Sequence, residues 1–339
     1  MNAIAIYVGG TTLTSTIEGL SIAGSTSLET LFTPTLDLEY LINGMPLTKK
    51  QIPITPDGLP TPAVITRAII NRLGIPYFVI DSGLYYKARV PHIALPSSKP
   101  GNNIMERNAL TYGTSENIFN ESRKIGELLS RNQDIIIIGE SIPGGTTTAA
   151  AIMEGLGFKA VEYVSSASPE NPRELKRSVI RKALSRIKKE DLFYIIDEVG
   201  DPVHISLAGL AVGSCTNARE VLLAGGTQMG AVISILSKLG KLDSEKIKIA
   251  TTKWILEDKW SDIFSLVHQI DRNIKIISSN VDFMDSKYKG LKMYEKGFVK
   301  EGVGAGGTMI LAERLGVSVR KIKSYIYNEY ERLESLGNG

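Results

Sequence analysis

Residues 134–157, DIIIIGESIPGGTTTAAAIMEGLG, run from four isoleucines through a glycine–proline turn into three threonines and an alanine-rich segment. A continuously apolar, β-branched run of this kind reads as a strand buried on both faces. The glycines allow a sharp turn, and the threonines suit the start of a helix. Strand, tight turn and helix in that order make up the unit from which parallel sheets are built.

The same order recurs along the chain. IAIYVGG, YFVIDSG, FYIIDEVG, VLLAGGT, IKIATT and IKIISSN read as further strands, each closed by small residues. In PAVITRAIINRLG, Val64, Ile65, Ala68, Ile69 and Leu73 share one helical face, as do Leu175, Val179, Ile180, Leu184 and Ile187 in PRELKRSVIRKALSRIKK. The expected fold class is α/β, a mostly parallel sheet flanked by helices. Such sheets bind ligands beyond the carboxyl ends of their strands, where glycine and threonine gather here.

The part up to about Pro60 is richer in proline, threonine and turn signals. The last segment, VSVRKIKSYIYNEYERLESLG, places Ile322, Tyr325, Ile326 and Leu333 on one side, with Ser318 as an N-cap. No internal repeat is present. We expect a single domain over 1–339, with 1–60 and 317–339 contributing a small flanking lobe.

A chain of 339 residues, 43% hydrophobic and 22% charged, can bury a sizeable core. A net charge of +3 does not call for nucleic acid and leaves room for a phosphorylated small molecule. No signal-peptide pattern and no membrane-spanning run is read, and the lone Cys215 excludes an intramolecular disulfide, so a cytoplasmic protein is expected. His92, His204 and His268 are scattered, so no metal site and no cofactor are expected.

Three stretches carry candidate chemistry. In the opening stretch, Gly144, Gly145, Thr146, Thr147 and Thr148 offer backbone N–H groups and hydroxyls to a phosphate. A capped turn that binds nothing is the competing reading. The loop is not a Walker A motif, because no lysine follows the glycines. In LLAGGTQMGAV, Gly226, Thr227 and Gln228 follow a strand, and close packing alone would also explain the small residues. In KEGVGAGGTMILAERLG, residues 300–316, Glu301 stands before four glycines and a helix whose start favours an ionised carboxylate. A helix-start charge without function competes there.

Two features carry less. Asp197 and Glu198 in YIIDEVGDP resemble the magnesium-binding pair of phosphoribosyl pyrophosphate enzymes, without the threonine–glycine loop that follows in those enzymes. The basic residues of 173–189 read as a solvated helix face, though Lys176 or Arg177 near its start could reach a ligand phosphate.

In this order, GESIPGGTTTAAA, LLAGGTQMGAV and EGVGAGG resemble the nicotinate-nucleotide–dimethylbenzimidazole phosphoribosyltransferase family, and most closely its archaeal branch. The resemblance covers roughly 134–316 and implies a Rossmann-like sheet, a small helical lobe and a homodimer. It implies transfer of phosphoribose from nicotinate mononucleotide to a benzimidazole-type base. It also makes Glu301 the catalytic base, with lysine at position 300 where the bacterial motif Gly-Glu-Gly-x-Gly begins with glycine. Lys176 corresponds to a family lysine and joins 144–148 as a phosphate ligand, while Glu140, Ser141, Gly226, Thr227, Gln228, Gly302 and Gly304 are expected to line the substrates. The bacterial Lys-Pro-Pro-Gly-Ser-Leu-Gly motif is not recognisable, which leaves the acceptor base open. Another phosphoribosyl transferase or hydrolase, or a non-catalytic sensor of the nucleotide, remains an alternative.

Overall fold

β1 (Ala3–Gly9), β2 (Tyr77–Asp81), β3 (Ile93–Ala94), β4 (Ile135–Ser141), β5 (Glu220–Ala224), β6 (Ile247–Thr251) and β7 (Lys275–Ser278) form one sheet. Their order is β3-β2-β1-β4-β5-β6-β7, and every neighbouring pair is parallel. The computed structural model describes all residues except Ser25, Pro56, Asn338 and Gly339. The isoleucines of β4 explain why the sheet is covered on both sides. Ile136 and Ile138 enter one apolar cluster, and Ile135 and Ile137 enter another on the opposite face. Burying each such side chain contributes about 1.5–3 kcal/mol relative to leaving it in water.

The helices that position the site are α1 (Thr33–Asn43), α2 (Pro62–Leu73), α3 (Thr114–Leu129), α4 (Gly145–Gly155), α5 (Arg173–Leu184), α6 (Leu192–Val199), α7 (Pro202–Cys215) and α8 (Met229–Lys238). Two longer helices after the last strand, Ala305–Arg314 and Val319–Gly337, complete this set. Chain direction from β1 diverges, to β2 and β3 on one side and to β4 onward on the other. The crevice where such a sheet takes its ligand therefore lies beyond the ends of β1 and β4.

FYIIDEVG, expected as a strand, is the helix α6. Asp191 caps it by accepting the Tyr194 N–H at 2.8 Å. Its carboxylates serve the fold: Asp197 accepts the N–H groups of Gly113 and Ser115 at the start of α3, at 2.6 and 2.9 Å. Glu198 accepts from the Tyr112 hydroxyl and pairs with Arg186.

The N-terminal segment divides at Gly9, because β1 is an interior strand of the sheet, between β2 and β4. Beyond it, the N-terminal and C-terminal segments do meet. Arg332 donates to the Gly44 carbonyl at 2.7 Å, and the Tyr330 hydroxyl donates to Gly58 O at 2.7 Å. The apolar stripe of the last helix is buried inside its own chain, where Ile322 and Ile326 join Ile65 and Ile69 of α2 in one cluster. The homodimer expectation therefore rests on the resemblance alone.

Candidate active site

Glu140 and Ser141 end β4, Gly226 to Gln228 follow β5, and Thr251 ends β6, so all lie along the carboxyl edge of the sheet. The loop bearing Glu301 is laid over this edge. Val303 N–H donates to Glu140 O at 2.7 Å, Thr66 Oγ1 to Val303 O at 2.8 Å, and Thr252 Oγ1 to Lys300 O at 2.6 Å. The approach is too close for side chains at two positions. A Cβ on Gly139 would lie 2.6 Å from Gly304 Cα, and one on Gly304 would lie 2.8 Å from the Tyr7 ring. Gly304 also has φ +68°, a conformation that glycine adopts without strain.

Glu301 is held by its Oε1, which accepts the N–H groups of Gly302 and Gly306, each at 3.1 Å. Its Oε2 is sealed from solvent and has no hydrogen-bond partner among the described residues. Burial pushes this carboxyl up to about 7, against the N–H groups of Gly306 and Gly302, which lower it. The helix start was expected to keep it ionised at ordinary acidity; burial outweighs that effect. A base whose pKa lies near neutrality is well matched to proton transfer at neutral pH.

Glu140 lies beside it, almost wholly buried, and accepts from Gln228 Nε2 at 2.5 Å. Burial first, and then the Glu301 charge, hold Glu140 well above the usual carboxylate range. Two neighbouring buried carboxyls do not readily ionise together. Sequence reading missed a third, Asp37 of α1. It accepts from Ser141 Oγ at 2.7 Å and Thr61 Oγ1 at 2.8 Å, and burial pushes it up to about 6.

Orphaned polar atoms gather at this edge. Besides Glu301 Oε2, the buried Gln228 Oε1, Thr147 Oγ1 and Thr251 Oγ1 lack partners among the described residues. Gln228 Oε1 lies against Gly145, and Glu301 Oε2 against Gly306, where any Cβ would be only 2.4 and 2.6 Å away. Buried polar groups are costly unless satisfied, and groups left open at a site are arranged for a partner that arrives later.

The phosphate residues expected from sequence lie at the start of α4 and on α5, two helices that pack against each other. In the 144–148 turn, Gly145 N–H donates to Ile142 O, and the Thr147 and Thr148 N–H groups donate to Gly144 O. Thr148 Oγ1 donates to Gly145 O at 3.2 Å, while Thr146 is half-buried. Much of the turn's donor capacity is thus used internally. Lys176 lies on α5. It is fully buried, and its Nζ donates to Ser165 O at 2.6 Å. Ser165 connects it to the β5 edge, because Ser165 N–H donates to Thr227 Oγ1 at 2.8 Å. Burial and the neighbouring Lys300 charge bring the Lys176 ammonium down to about 7. A lysine with a single hydrogen bond in so dry a place has donors to spare for an anion.

Ser165 and Asp258 were not singled out by sequence, and Lys300 was noted only as a lysine where the resemblance places a glycine, with no role assigned. Ser165 lies in VSSASPENP, a small-residue run before a helix that carried a signal of the same kind as 144–148. Asp258 carried none.

The family model described as a phosphoribosyltransferase, DBI_PRT, matches residues 63–241, a span that includes Lys176 and Gln228 and ends before Glu301. A UPF0284 protein of Aeropyrum pernix is 50% identical over 97% of this chain and 92% of its own length. Others from Pyrobaculum calidifontis and Sulfurisphaera tokodaii are 42% and 43% identical over 98% of this chain, covering 96% and 94% of their own lengths. Among solved structures, a nicotinate-nucleotide-dimethylbenzimidazole phosphoribosyltransferase from Thermus thermophilus superposes with a TM-score of 0.64 at 15% identity, covering 94% of this chain and 86% of that one. A structure of CobT from the same organism gives a TM-score of 0.61 at 15% identity, covering 96% of this chain and 84% of that one. At that identity the superpositions establish the shared fold. With the family model matched over more than half its length and a relative half identical along nearly all of it, the chain belongs to this phosphoribosyltransferase family, together with the UPF0284 proteins.

Proposed function

We propose that the protein transfers the phosphoribosyl group of nicotinate mononucleotide to a benzimidazole-type base, releasing nicotinate and forming an α-ribazole phosphate for the lower ligand of a cobamide. The observation that carries this reading is the Glu301 carboxyl, buried at the carboxyl edge of the sheet and fixed through one oxygen, with the other oxygen unpartnered. The name of the Thermus thermophilus neighbour supplies the substrate pair.

In the reaction, a ring nitrogen of the base attacks C1′ of the ribose. The bond from C1′ to nicotinate breaks, and its electron pair returns to the pyridine nitrogen. As the new bond forms, the remaining N–H of the base becomes acidic, and Glu301 Oε2 takes that proton. The Lys176 ammonium holds the phosphate, and fixing the ribose in this way makes the attack effectively intramolecular.

The test is incubation of the pure protein with nicotinate mononucleotide and a panel of benzimidazoles, phenols and purines, with nicotinate followed by chromatography. We expect release that depends on an added base. Release without any base would make the protein a hydrolase. Tight nucleotide binding with no release would make it a sensor.

A further inference from the structure

Lys300 stands where the resemblance places a glycine, and its backbone keeps a glycine's conformation, φ +63°. Val299 before it has φ +63° and Val303 after it φ +50°, so three residues with side chains occupy a region that side chains avoid. Such a loop persists only where its surroundings hold it.

The Lys300 side chain supplies a hold. It is almost wholly buried, and its Nζ donates to Gly297 O at 2.7 Å and Ser168 O at 2.9 Å. Asp258 Oδ2 lies 3.7 Å from it. The same Asp258 oxygen accepts from Ser165 Oγ, and Ser165 O accepts from Lys176. Val299 N–H adds a bond to Ala167 O at 2.7 Å. Segment 165–168 is thus laced to the Glu301 loop on one side and to Lys176 on the other. Resting on the reading of Lys176 as the phosphate ligand, we propose that Lys300 is a positioning residue: by joining the Glu301 loop to Ser168 and Asp258, it holds the proton acceptor and the phosphate cation in register.

The charged groups facing Lys176 are Lys300, Asp258 and Arg173. Two buried ammonium groups thus share one buried carboxylate, with the Arg173 guanidinium nearby, an excess of positive charge that a phosphate would offset. The sign of the pH effect follows. Protonated Lys176 favours the phosphate, so binding weakens as pH rises through its pKa of about 7. Removing the Lys300 charge removes a repulsion and moves that midpoint upward.

Lys300→Gly suits the backbone conformation, and Lys300→Met keeps the bulk without the charge. Binding of inorganic phosphate is measured by calorimetry across pH for the native protein and both variants; the ionisation of phosphate itself is common to all three. In both variants we expect the midpoint to rise on the order of one pH unit. At about pH 6.5 we expect kcat to fall about tenfold or more while the nucleotide KM changes less than about threefold. An unmoved midpoint and kcat in Lys300→Gly overturns the proposal, as does full rescue by methionine or failure of the native protein to bind phosphate. A shifted midpoint in a protein that releases no nicotinate sinks the transferase reading and leaves the Lys300 tie standing. Native turnover with an unmoved midpoint sinks the tie alone.

Discussion

Glu301→Gln is expected to lower turnover by about 10²–10⁴-fold while nicotinate mononucleotide still binds, because a positioned general base contributes on that scale. Glutamine keeps the size of the side chain and its acceptor oxygen for the Gly302 and Gly306 N–H groups, so the loop has no reason to move. It cannot take a proton. In the native protein the base works only when ionised, so kcat should rise with pH through about 7, and the variant should lose that limb. Glu140→Gln is the control. Burial and the Glu301 charge raise the Glu140 carboxyl well above the usual carboxylate range, which favours its protonated form, and glutamine resembles that form in shape and hydrogen bonding. Its loss should be less than about tenfold, since no general-base contribution is removed. If Glu140→Gln abolishes turnover and Glu301→Gln does not, the two roles are reversed.

Lys176→Met is expected to weaken nicotinate mononucleotide binding about 10²-fold or more, the scale of losing one partner of a buried charged pair. Methionine has similar bulk and no charge, so the fully buried position can stay filled, and a thermal melt will report whether it does. The loss should be largest below about pH 7, where the native ammonium is protonated, and should fade above it. Thr147→Val separates the two phosphate readings. Its hydroxyl, in the 144–148 turn, is buried without a partner among the described residues. A greater loss of binding from Thr147→Val than from Lys176→Met would move the phosphate from Lys176 to that turn.

Much of this was legible in the sequence because it is local. The isoleucines of β4 and the glycines after it announce a buried strand and a turn within a few residues, and the fold class follows from their repetition. FYIIDEVG failed for a physical reason. A short apolar run between polar ends suits a buried strand as well as a buried helix, and the arbiter was Asp191, a cap just before the run. Glu301 was visible because glycines surround it. Its acidity was not, since the burial that raises its pKa is made by β6, the loop after β5 and its own loop folding together. Lys300 was the least legible. Its partners Ser168 and Asp258 are distant in the chain, and only the folded structure shows what keeps its backbone in a glycine-like conformation.

The central claim is a direct displacement at C1′ with the base on the ring face opposite nicotinate. The most direct measurement is the anomeric configuration, by proton NMR, of the product made from nicotinate mononucleotide and 5,6-dimethylbenzimidazole or whichever base the panel selects. Nicotinate leaves from the β face, so the account predicts an α-linked ribose 5-phosphate. A β-linked product, or free ribose 5-phosphate, would contradict it.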